Sequence, residues 1–103
     1  MRIVYSPQAR TDLQEVRQYI AENLQNPQAA QKLTDRIVRS AHLLAQQPNL
    51  GIGLREKVNR DTDYRCLICG NYGVFYLPFE DEEIRIVRIL DLRTDYMCIL
   101  FAE

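Results

Sequence analysis

The stretch Asp63-Tyr-Arg-Cys-Leu-Ile-Cys-Gly-Asn-Tyr-Gly-Val-Phe-Tyr-Leu-Pro-Phe-Glu-Asp-Glu-Glu-Ile-Arg-Ile-Val-Arg-Ile-Leu-Asp-Leu-Arg-Thr-Asp-Tyr96 decides the fold. It contains three runs rich in aromatic and β-branched residues, Tyr64–Cys69, Tyr72–Leu77 and Ile84–Leu90. Such residues suit a pleated, half-buried surface. Gly70-Asn71 separates the first two runs, and Pro78 with the acidic run Glu80–Glu83 separates the second and third. The reading is a three-stranded antiparallel meander carrying Arg65, Arg88 and Arg93, followed by Tyr96. Period-two alternation along the last run puts Ile84, Ile86, Arg88 and Leu90 on one face and Arg85, Val87 and Ile89 on the other. Arg88 thus alternates with apolar residues, as a functional cation, a snorkelling one, or one paired with a carboxylate such as Asp95. Arg93 and Asp95 are placed to tie the C-terminal segment to the sheet. Tyr64, Tyr72 and Tyr76 read as core and cross-strand packing.

Upstream of the meander lie a strand and two helices. Arg2–Tyr5 is extended, and Ser6-Pro7 ends it with a favoured N-cap followed by proline, which fits the first helical position. Ala9, Leu13, Val16, Ile20 and Leu24 then recur at spacings of three and four, while Asp12, Glu15, Arg17, Gln18 and Glu22 fall between them and should face water. Asn26-Pro27 repeats the cap-and-proline signal. A second helix buries Ala30, Leu33, Ile37, Ala41 and Leu44 and ends before Pro48. Helices of about 17 and 20 residues with so short a link must lie antiparallel, each offering one apolar stripe to the other and to a sheet. His42 reads as a partly buried structural histidine beside the second stripe. Residues 48–63, with Pro48, Gly51 and Gly53 and no periodicity, read as a connection.

Composition bounds the function. A chain of 103 residues, 47% hydrophobic and 26% charged, is expected to form one globular domain over 1–103. It shows no apolar run near the length that spans a bilayer and no signal-peptide core, so the cytoplasm is the expected compartment and no membrane partner is expected. The net charge of −1 lacks the basic excess of a protein that grips many phosphates. Residues 1–60 carry nine Lys/Arg against five Asp/Glu, and residues 61–103 four against nine. The linker Leu54–Arg60 is locally basic and reads as a solvated loop. Cys66 and Cys69 have a metal-like spacing, but inside a strand residues three apart point to opposite faces, and no second pair completes four ligands. Reduced thiols, no metal and no cofactor are expected.

In this order and spacing, S-P-x-A-x-x-D-L at 6–13, Q-x-P-x-x-G in the linker (Gln46, Pro48 and Gly51), Tyr64-Arg65, G-N-Y-x-V-F-Y at 70–76 and I-x-I-V-R-I-L-x-x-R-x-D-Y at 84–96 resemble the RelE/ParE family of bacterial toxin–antitoxin toxins. The resemblance covers nearly the whole chain. It implies an α+β fold of order β-α-α-β-β-β, with an antiparallel helical hairpin on one face of a small, mainly antiparallel sheet. It also implies a toxin of a type II toxin–antitoxin, or plasmid stabilisation, module. A cognate antitoxin would neutralise it, and operator DNA would be met only through that antitoxin.

The family divides into two chemistries. ParE-like toxins poison DNA gyrase through protein contacts. RelE-like toxins bind the ribosome and cleave mRNA, for which cations must surround the reacting phosphate and other groups must move protons. If the chain is RelE-like, Arg65, Arg88, Arg93 and Tyr96 are its candidate catalytic residues. For target or antitoxin binding the candidates are Arg93, Asp95, Tyr96, Ile99, Leu100 and Phe101. No histidine lies in the sheet half and no lysine follows Lys57. Those absences, the acidic surround, the long hairpin and the C-terminal motif favour the ParE-like reading. A degenerate toxin that only binds antitoxin is a third possibility.

Overall fold

The computed structural model describes residues 1–57, 62–79 and 82–101. Val58–Arg60 of the basic linker and Glu80-Asp81 of the acidic turn lie outside them. Chain order is β1 (Arg2–Tyr5), α1 (Pro7–Gln18) continued by a π-helical turn (Tyr19–Asn23), α2 (Pro27–Leu43), β2 (Ile52–Gly53), α3 (Leu54–Lys57), β3 (Arg65–Cys69), β4 (Tyr72–Phe79), β5 (Glu83–Asp91) and α4 (Tyr96–Leu100). The five strands form one mixed sheet in the order β1-β5-β4-β3-β2. The meander is antiparallel, and β1 lies parallel to β5. This is the α+β architecture expected, with two additions in the connection: a two-residue strand against β3 and one helical turn.

Both helices begin as their sequence dictates. The Ser6 hydroxyl accepts from the Ala9 amide at 3.0 Å and the Asn26 side chain accepts from the Ala29 amide at 3.1 Å. The π turn closes with the Leu24 amide donating to the Tyr19 carbonyl at 3.3 Å, and Gln25 makes the link in the left-handed region at φ 51°. A π turn inserts extra chain into the helical phase. Leu24, expected on the apolar face, is consequently exposed. Val16, Ile20, Ile37 and Leu44 are buried, while Leu13 and Leu33 are partly buried against the same cluster. His42 is exposed rather than partly buried.

The hairpin covers only one face of the sheet. There, Val74, Tyr76, Ile84, Ile86 and Ile89 meet Ala9, Val16, Ile37 and Leu44. A second, smaller cluster fills the opposite face, where Leu54, Cys66, Phe75, Leu90 and Leu100 gather with Tyr64, Leu92, Tyr96 and Phe101 around them. Cys66 and Cys69 belong to different clusters, as alternation requires. Covering on both faces explains why β4 is buried without a break from Tyr72 to Tyr76.

Strand chemistry accounts for the details. Gly70 takes φ +61° in the β3–β4 turn, a conformation glycine adopts without a Cβ penalty. Pro78 lies inside β4, opposite Ile84, rather than in a turn. Pairing with β3 ends at Tyr76, so Pro78 sits where β4 is an edge and its missing amide breaks no ladder on that side. Gly51 is a close approach: a Cβ there would lie 2.7 Å from the Tyr76 hydroxyl and 2.9 Å from the Cys66 carbonyl carbon. That hydroxyl donates to the Pro48 carbonyl at 2.8 Å and accepts from the Gly51 amide at 2.9 Å, pinning the connection over the buried ring.

Candidate functional site

The far half of β5 and the segment after it carry most of the candidate residues, and one irregularity sets their geometry. Phe75 pairs with Arg88 but Tyr76 pairs with Ile86, so Val87 is an extra residue, a β-bulge. Simple alternation fails from that point. Ile84, Ile86 and Ile89 share the hairpin face, whereas Leu90 belongs to the opposite cluster.

β1 also stops here, its last pair being Tyr5 with Ile86, and β5 continues without a strand on that side. The motif Ser6-Pro-x-Ala-x-x-Asp12 supplies what the missing strand would. The Ser6 amide donates to the Ile86 carbonyl at 2.9 Å and its hydroxyl donates to the Val87 carbonyl at 2.8 Å. One turn into α1, Asp12 accepts from the Ile89 amide at 3.0 Å and from Arg88 at two points, Nε at 2.7 Å and the terminal nitrogen at 2.9 Å. Asp12 is 4% exposed, and its carboxylate raises the pKa of Arg88 further above its ordinary value. The expectation that Asp12 faces water is therefore overturned. Its spacing of three after Ala9 and four before Val16 places it on the buried stripe, a signal present in the sequence. Arg88 is paired, but with Asp12 and not Asp95.

Arg93 is held by Asp91 and not by Asp95. Its Nε and terminal nitrogen donate to Asp91 at 3.0 and 2.8 Å, and its amide donates to the same carboxylate at 2.9 Å. This pairing lowers the Asp91 pKa and raises that of Arg93. Asp95 is exposed and caps α4, accepting from the Cys98 amide at 3.4 Å. The apolar tail after it is this short helix. Its Leu100 is buried, Ile99 is exposed, Tyr96 lies against Phe75 with centroids 5.5 Å apart, and Phe101 meets Tyr64 edge-on at 5.7 Å.

The four residues named for RNA cleavage do not meet at one point. Arg88 and Arg93 line a cleft of about 350 Å³ between α1 and the open edge of β5, with Glu15, Tyr19, Tyr72 and Ile99. Burial, reinforced by Asp91, raises the Tyr72 phenol, which stays a neutral hydrogen-bonding group there. Arg65 lines a separate cleft with Asn49, Tyr64 and Pro78, where it donates to the Gly51 carbonyl at 2.6 Å and the Asn49 carbonyl at 3.2 Å. Its Nε is buried without an acceptor among the described residues. Tyr96 lines a third, apolar cleft with Ile52, Cys66 and Ile68. Glu15 and Tyr19 of the first cleft escaped the sequence reading because helical spacing places both on a solvent-facing side. Only the open strand edge beside them makes a cleft.

A family model described as "ParE toxin of type II toxin-antitoxin system, parDE" matches residues 3–96. No curated protein matches the sequence significantly. Among solved structures, a chain of a chromosomal ParDE TA system from P. aeruginosa is 23% identical, with a TM-score of 0.72 over 89% of this chain and 96% of that one. At that identity the likeness speaks for the fold.

Proposed function

We propose that this chain, which belongs to the ParE toxin family of type II toxin–antitoxin systems, poisons DNA gyrase through protein contacts and is silenced by an antitoxin. The observation carrying this reading is the dispersal of its cations. Phosphoryl-transfer chemistry on RNA needs preorganised charge around one phosphate. Here Arg88 is tied to Asp12, Arg93 to Asp91 and Arg65 to backbone carbonyls, in two separate clefts. Such arginines build a rigid surface for a protein rather than a cage for a transition state. The contact surface is then Arg93, Asp95, Ile99 and their neighbours on α4, with Tyr96, Leu100 and Phe101 holding that segment in place. The near-neutral net charge of −1 fits a protein target better than ribosomal RNA. The solved ParDE relative, a toxin–antitoxin system by its description, supports an antitoxin as partner.

The mRNA-cleaving reading has one feature in its favour, the buried Nε of Arg65 with no acceptor among the described residues. The deciding experiment adds the purified chain separately to a gyrase supercoiling reaction and to programmed ribosomes. Lost supercoiling with intact mRNA is expected. Codon-dependent cuts with undisturbed supercoiling would overturn the gyrase reading, and silence in both assays would mark a degenerate toxin.

A further inference from the structure

The cleft between α1 and the open edge of β5 has a charge imbalance. Its lining holds three carboxylates, Asp12, Glu15 and Asp91, against two guanidinium groups, Arg88 and Arg93. Four of these five are matched in the two-point pairs Asp12–Arg88 and Asp91–Arg93. Glu15 is left, exposed on α1, in no ion pair of its own among the described residues, although the charge of Arg88 reaches it. Around it the walls are aromatic and apolar: Tyr19, half exposed on the π turn, Tyr72 opposite, and Val16, Ile89 and Ile99. Arg93 lies beside the two phenols and Arg88 is felt by Glu15, yet the lining as a whole keeps one negative charge in excess. That excess over an apolar floor suits a long side chain with an alkyl stem and a cationic head. The stem would bury against the aliphatic groups, while the head would meet both the carboxylate and the ring faces.

We propose that this cleft is the seat of a lysine or arginine of the antitoxin, which enters beside Glu15 between Tyr19 and Tyr72. The proposal rests on the antitoxin reading above and adds the chemistry of one anchoring contact. The alternatives fit less well. An anion would face Glu15 unpaired, and a purely apolar anchor would leave Glu15 desolvated without a partner. The regular helical phase sets Tyr19 at the rim, four residues after Glu15 and with its amide donating to the Glu15 carbonyl, and the π turn begins only there.

The test uses the full chain and the small protein encoded by the neighbouring reading frame, purified as a complex and re-titrated. Glu15→Gln should weaken binding about fivefold to tenfold, and Glu15→Arg about thirtyfold or more, with a slower association at low salt. Glu22→Arg, on the same helix but outside the cleft, should change affinity less than about threefold, and thermal melts should show all three variants folded. A scan replacing each lysine and arginine of the partner by glutamate should find one position that recovers binding to Glu15→Arg. Wild-type binding with Glu15→Arg unchanged overturns the cleft proposal and leaves the antitoxin reading standing. If the wild-type chain forms no complex at all, the antitoxin reading itself fails and this one with it. Two further outcomes would also overturn it by naming another occupant. One is a homodimer of the toxin abolished by Glu15→Arg. The other is gyrase binding that alone depends on Glu15.

Discussion

At the scale of single residues, Asp12 carries the largest structural consequence. One buried carboxylate joins α1 to β5, neutralises Arg88 and satisfies the Ile89 amide where β1 has ended. Removing one member of a largely buried pair leaves its partner unmatched, at a cost of about 3–5 kcal/mol when both are fully buried. Arg88 keeps 21% of its side chain exposed, so Asp12→Ala should cost less, about 2–3 kcal/mol. Asp12→Asn retains an acceptor for the Ile89 amide and should cost about half as much. Urea unfolding of the two variants against wild type measures both losses. Equal losses would show that the hydrogen bond to Ile89 contributes nothing beyond the charge.

At the scale of elements, the edges of β5 are held by carboxylates whose pKa values lie below the usual range. Glu83, where β5 begins, is lowered by hydrogen bonds to Arg2 and Arg85, and Asp91, where it ends, by hydrogen bonds to Arg93. A depressed carboxyl binds its proton less readily in the folded state than in the unfolded one. Its contribution to stability is therefore complete above the ordinary carboxylate range and is lost as pH falls through the folded value. Melting temperature should hold between about pH 7 and pH 5 and then fall towards pH 3 on account of these groups. Arg93→Gln should flatten the part of that decline due to Asp91, and a series of thermal melts across pH in wild type and variant reads the difference. An unchanged acid limb in Arg93→Gln would mean that the Asp91 pair does not couple to folding.

At the scale of the whole molecule, two apolar clusters lie on opposite faces of one sheet and meet through β4, whose Phe75 belongs to one and whose Val74 and Tyr76 belong to the other. Shared backbone makes the clusters interdependent. Phe75→Ala and Ile37→Ala should each lower stability, by about 3–5 and 2–5 kcal/mol respectively. Each should do so through one transition that is the same by tyrosine fluorescence and by far-UV circular dichroism. Two separated transitions in Phe75→Ala would show that α4 and its cluster fold as an independent layer. The same coupling bears on function: α4 is fixed by Leu100, Tyr96 and Phe101 on its buried side, so Ile99 and Arg93 are presented on a firm base.

The sequence by itself determined β1, the two long helices, the meander and the fold class, but not β2, α3, the π turn or α4. Cap-and-proline pairs marked both helix starts, spacings of three and four marked their buried faces, and β-branched runs split by Gly70-Asn71 marked the meander. These signals are local, set by backbone sterics and by periodicity within one element. The tertiary structure alone decided what depends on neighbours distant in the chain. The pairing of β1 with β5, the bulge at Val87 and the carboxylate that each arginine chooses all arise from where one element ends beside another. Alternation assigned Arg88 to a face but could not supply its partner, because Asp12 lies 76 residues away and meets it only once β1 has stopped short. The candidate site follows the same division: its C-terminal motif was legible as residues, whereas its cleft exists only because α1 crosses an open strand edge.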